Sequence, residues 1–146
     1  MSNRDVVCYA TGAALFGAAV GYVPNEKVWR RTLAKYAVKA ERDVPFLTDV
    51  AGRCTRFQDK KGRLLILINV DADRTAKLEM TQVVGVLVHE SVHAWRFILD
   101  DIGQSAQPEP VGHEIEAYAI QSISQAMIAG HRDTQKRPWT TPTQQG

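Results

Sequence analysis

The sequence predicts an α+β fold, mainly helical, with a small antiparallel sheet packed on one long central helix. Three observations point to it. From about residue 81 to 101, apolar side chains fall on nearly all sides of a helical projection, as in a helix buried through the middle of a fold. The stretch "CTRFQDKKGRLLILINV", which begins at Cys54, reads as two strands around a turn that contains Gly62. A second helix starts near Pro110, whose fixed φ suits a first helical turn, and is expected to end before Gly130.

The chain of 146 residues is the usual size of a single domain. One domain over 1–130 is expected, followed by a polar, flexible tail over 131–146, "HRDTQKRPWTTPTQQG". Hydrophobic residues at 45% and charged residues at 23% place the chain among ordinary globular proteins. Its net charge of +2 is scattered rather than gathered into a stripe, so no nucleic-acid partner is expected. Cys8 and Cys54 form neither a CxxC pair nor a disulfide framework, which suits a reduced, cytoplasmic chain.

The elements follow in order. "VVCYATGAALFGAAVGYV", residues 6 to 23, is uncharged and as long as a short membrane span. Its Gly and Ala content is high and its charged leader poor, so a buried N-terminal helix of small residues is expected, with a secreted or membrane-anchored chain as the alternative. Residues 25 to 42 place Val28, Leu33, Tyr36, Ala37 and Ala40 near helical spacing and read as an amphipathic helix entered from Pro24 and Asn25. Arg30, Arg31 and Lys35 make its solvated face. After the Leu64–Val70 strand, "DADRT" ends the hairpin, and Asp71 and Asp73 read as solvated turn carboxylates rather than a cation site. The long helix then runs to Asp101, with Gly103 as its stop signal. There is no internal repeat.

The long helix carries "HESVH". His89 and His93, four residues apart, project from one face one turn apart. Two neutral imidazoles so placed can bind one Zn²⁺ at about 2.0–2.1 Å each. Glu90 is rotated by about 100° from His89, beside the metal rather than on it, where a base is needed to take a proton from the attacking water. The alternative is a buried helix whose two histidines have other partners. Polar His, Glu and Ser on so apolar a helix each need a partner, and one metal ion satisfies both imidazoles.

A catalytic zinc usually takes three protein ligands and leaves a position for water. "VGHEIEAYAIQSI", residues 111 to 123, offers the third. An H-E-x-x-H helix, a loop and a second helix carrying E-x-E-A-aromatic resemble the Glu-liganded zincin metallopeptidases, the gluzincins. The second helix is similar to that of the membrane-bound CaaX-type and heat-shock zinc proteases, and of the small zinc peptidases that cleave phage or mobile-element repressors. The resemblance spans residues 60 to 128 and implies a zincin-like fold with Glu114 as the zinc carboxylate. It also implies a helper to a ligand histidine four places on, where Tyr118 stands instead of the Asp or Asn of many relatives. An edge strand before the metal helix would pair with an extended peptide. Leu64–Val70 is the candidate, or else a central strand without that role. The metzincin subgroup is excluded, because Arg96 occupies the place of its glycine.

Helix geometry bears on the choice of carboxylate. Glu114 and Glu116 lie about 200° apart. Glu114 shares a mildly polar stripe with Val111, Tyr118, Gln121 and Gln125, whereas Glu116 shares its face with Ile120, Ile123 and Met127. The stripe favours Glu114. His113 is a rival ligand or a substrate-facing group.

The expected activity is zinc-dependent peptide hydrolysis of narrow substrate range, on a peptide or protein substrate, with Glu90 as general base. Tyr118, His113 and Arg96 are oxyanion candidates, although Arg96 also stands four residues before Asp100, as an ion-pair partner would. Cys8 is a buried thiol or, less simply, a cap on the zinc. The alternative function is a zinc-bearing binding or assembly module without proteolysis. Glu90 speaks against it, since a purely structural metal has no use for a base.

Overall fold

The computed structural model describes residues 7–36, 38, 44–47, 50–103 and 110–135. In chain order these form β1 (Cys8–Tyr9), a 3₁₀ helix (Thr11–Phe16), β2 (Ala18–Val23), α1 (Glu26–Lys35), β3 (Gly52–Gln58), β4 (Leu64–Val70), the short α2 (Ala72–Thr75), α3 (Met80–Asp101) and α4 (Pro110–Thr134). The class is α+β.

β4 organises the sheet. Its seven residues are all buried, as expected of a strand covered on both faces. Leu64, Ile66, Ile68 and Val70 face a core shared with α3 and α4, including Leu87, Trp95, Ile98, Ile123 and Met127. Leu65 and Leu67 face the other way, into a core with Val28, Trp29 and Leu33 of α1. The sheet is thus sandwiched between α1 and the α3–α4 pair. Its order is β1-β2-β4-β3. β3 and β4 form the expected antiparallel hairpin, Cys54 opposite Ile68.

The sheet is not purely antiparallel, and the reason lies in residues 6 to 23. Residues 7–23 are not an α-helix: they fold as two strands around the 3₁₀ helix, and β2 runs parallel to β4, with Val20 opposite Ile66. Val20, Tyr22 and Val23 are β-formers that the sheet buries completely. Small residues here allow close packing rather than helix formation. A Cβ on Gly21 would lie 2.6 Å from Val7 Cγ1. Among the described residues no helix is long and apolar enough to cross a membrane.

The other boundaries have local causes. α1 starts where the Asn25 side chain accepts the Val28 N–H at 3.0 Å, and ends at Lys35, earlier than expected. Residues 37 and 39–43 of the expected helix lie outside the described residues. Asp71 caps α2, accepting from the N–H groups of Asp73 and Arg74. At the start of α3, Gln82 reaches back to accept the Glu79 N–H at 3.0 Å, and Gly103 follows its end with φ +69°. α4 does not stop before Gly130. It continues to Thr134, because His131 and Thr134 are buried against β2, with Tyr22 Oη 2.8 Å from His131 Nδ1. The expected tail therefore begins inside the helix, and residues 136–146 of it lie outside the described residues.

Candidate metal centre

α3 presents His89 and His93 on its outer surface while Leu87, Ser91, Ala94 and Ile98 anchor its opposite side in the core. The Ser91 hydroxyl donates to the Leu87 carbonyl at 2.7 Å, so this buried polar group is satisfied within the helix. The two imidazole Nε2 atoms are 3.1 Å apart, one donating to the other, with the rings edge to face at 75°. Two nitrogens bound at about 2.05 Å to one tetrahedral ion would be separated by about 3.3 Å. The pair is therefore set at nearly the spacing that one zinc requires. The donors are also of the right kind, since imidazole nitrogens are common zinc ligands.

Glu90 occupies the flank of α3 toward the sheet and is only 7% exposed. Burial raises its carboxyl pKa; the nearby His89 and His93 and the backbone N–H of Cys54, which donates to the carboxylate, act in the opposite direction. That N–H belongs to β3, the last strand of the sheet. Gly52 makes the approach of β3 possible: a Cβ there would stand 2.6 Å from Val86 Cγ1 and 3.3 Å from Glu90 Cγ. Farther along, Arg56 pairs with Asp100 and lies 5.2 Å over the Phe97 ring. On the opposite flank Arg96 Nη2 donates to Glu116 Oε1 of α4 at 3.0 Å. At 100° per residue His89 and His93 lie between these two flanks. The histidines thus lie on an exposed strip of α3 with β3 on one side and α4 on the other.

β4 is not the strand beside this strip; it is central, and β3 takes the edge position. Sequence reasoning found this strand but gave the edge role to Leu64–Val70, because β3 is the more polar and less buried of the two. Its signal was Gly52, since an isolated glycine in a strand marks a close approach.

Of the remaining candidates, none joins the histidines. Glu114 is exposed. Glu116 faces α3, so Glu114, about 200° around α4, faces away from it. Among the described residues no three His, Cys, Asp or Glu side chains form a group able to hold a metal ion. His113 is exposed, and Tyr118, 67% exposed, lines with Ile115, Ala119 and Ser122 a groove of about 290 Å³ that reaches Trp95. Arg96 does not pair with Asp100 as its spacing suggested, because each has a partner on a different element. Cys8 packs against Gly130 of α4, where burial and then Asp133 raise its thiol pKa. Cys54 stands next to Glu90, and burial, reinforced by that carboxylate, holds it as a thiol.

Comparison with protein-family models, with curated proteins and with solved structures finds no match to this chain.

Proposed function

We propose that the chain is a zinc-dependent peptidase of zincin type, with Glu90 as general base and His89 and His93 as two of the zinc ligands. The observation that carries this reading is the convergence of two Nε2 atoms 3.1 Å apart beside a buried carboxylate. Zinc bound there would lower the pKa of a water to about 7 and polarise a scissile carbonyl. The chain's own residues supply the rest. Burial raises the Glu90 carboxyl pKa, the direction that makes the carboxylate a better proton acceptor. It takes one proton from the attacking water and passes it to the leaving amine. The Cys54 N–H holds that carboxylate in position, on the side where it meets β3. As an edge strand, β3 offers unpaired backbone groups to an extended peptide lying beside the histidines.

A zinc-bearing binding module is favoured by one observation, the absence of a third converging donor among the described residues. The two readings separate on Glu90. In the peptidase, Glu90→Gln keeps zinc and lowers hydrolysis of an unfolded protein by about 10²–10⁴-fold, while His89→Ala loses zinc as well. Hydrolysis that survives Glu90→Gln unchanged contradicts the peptidase; so does zinc retained in His89→Ala.

A further inference from the structure

Two imidazoles leave the ion in need of another protein ligand, and α4 brings two carboxylates to the neighbourhood of α3. Their placements differ. Glu116 is turned toward α3, with its side chain only 19% exposed and its Oε1 held by Arg96. Arg96 follows His93 by three residues and so stands on the adjacent turn of the same side of α3. Glu114 is exposed on the far side of α4. Bringing Glu114 to the histidines would require α4 to turn by about half a revolution about its axis. That turn would carry Ile123 and Met127, which share Glu116's face and are buried in the core, out toward solvent. Glu116 already stands on the α3-facing side of α4 and needs no such turn.

We infer that Glu116 is the carboxylate ligand, held in reserve by Arg96 and transferred to the ion when it binds. The inference rests on the zinc reading above. The exchange is favourable on simple grounds. An ion pair whose arginine is half-exposed is worth little, whereas a divalent ion between two imidazoles attracts a carboxylate strongly. Arg96, once released, keeps access to water. The proton change is confined to the histidine pair. The imidazole that donates through Nε2 must present that nitrogen unprotonated and carry its proton on Nδ1.

The test is zinc affinity of the full chain, measured by competition with a chromophoric chelator. Zinc content and the visible spectrum of the Co²⁺ form provide readouts independent of hydrolysis. Glu116→Gln should weaken zinc by at least about tenfold, the smallest effect expected even of a group acting one shell out. Glu114→Gln should leave affinity within about twofold, and Arg96→Gln should leave it unchanged or tighten it, since a competitor is removed. Loss in Glu114→Gln with Glu116→Gln intact overturns the inference. So does loss in Arg96→Gln equal to that in Glu116→Gln, because the ion pair would then be acting only to hold α4 in place. Zinc retained by both glutamate variants but lost in His89→Ala overturns it as well, while the zinc reading stands. Retention in His89→Ala brings down both.

Discussion

His131 shows what burial does to a single ionisable side chain. It is 1% exposed, with its Nδ1 2.8 Å from the Tyr22 hydroxyl, and burial pushes its pKa down to about 4. An unfolded histidine titrates near 6.5, so the unfolded chain binds more protons between those values. Stability is therefore lost progressively as pH falls from about 6.5 to 4. Melting curves over that range should fall more steeply for the wild type than for His131→Gln, and parallel curves would show that His131 does not contribute. On α3 the same physics acts on Glu90 in the opposite sense, because burial disfavours a carboxylate as it disfavours an imidazolium. Neither residue's environment is written in its immediate sequence. His89, Glu90 and His93 were legible as a set because one helix fixes their mutual geometry. The partners of Glu90 were not, since Gly52 and Cys54 are more than thirty residues away in the chain.

At the scale of elements, the site depends on how closely β3 can lie against α3. Gly52 is the point of contact, where an added Cβ meets Val86 Cγ1 at 2.6 Å. Gly52→Val should push the strand away and loosen the Cys54 N–H from Glu90. The expected result is a loss of about 1–3 kcal/mol in stability, as for overpacking elsewhere, and a fall in hydrolysis larger than any fall in zinc content. Equal stability and activity in this variant would mean that β3 does not position Glu90. The hairpin itself was readable from its apolar run and turn residues, but which of its strands is the edge was not. That depends on β2, which claims the other side of β4. The segment holding β2 looked helical because its Gly and Ala content gives a weak signal on its own. Its strand structure is earned by pairing with β4.

For the whole molecule, the central sheet separates two apolar cores. Trp29, with Leu33 and Phe57, belongs to the α1 side, whereas α3 and α4 pack on the other. A defect on the α1 side should therefore lower stability without disturbing the histidine-bearing face of α3. Trp29→Ala should cost about 3–5 kcal/mol and leave zinc stoichiometry unchanged in the folded fraction. Loss of zinc in proportion to lost stability would indicate that the two layers act as one.

The sequence by itself determined the class, the α3 and β3–β4 elements, and the histidine pair with its neighbouring glutamate, because all of these follow from spacing along a few turns or one hairpin. Only the tertiary structure decided that Cys8–Tyr9 and Ala18–Val23 are strands, that β4 is central, that α4 runs on to Thr134, and that Glu116 rather than Glu114 faces α3. The physical reason is the same in each case. Local periodicity gives a helix its faces, but which face turns inward is set by the apolar area it buries against partners distant in the chain, and here Ile123 and Met127 outweighed the polar stripe that ran through Glu114.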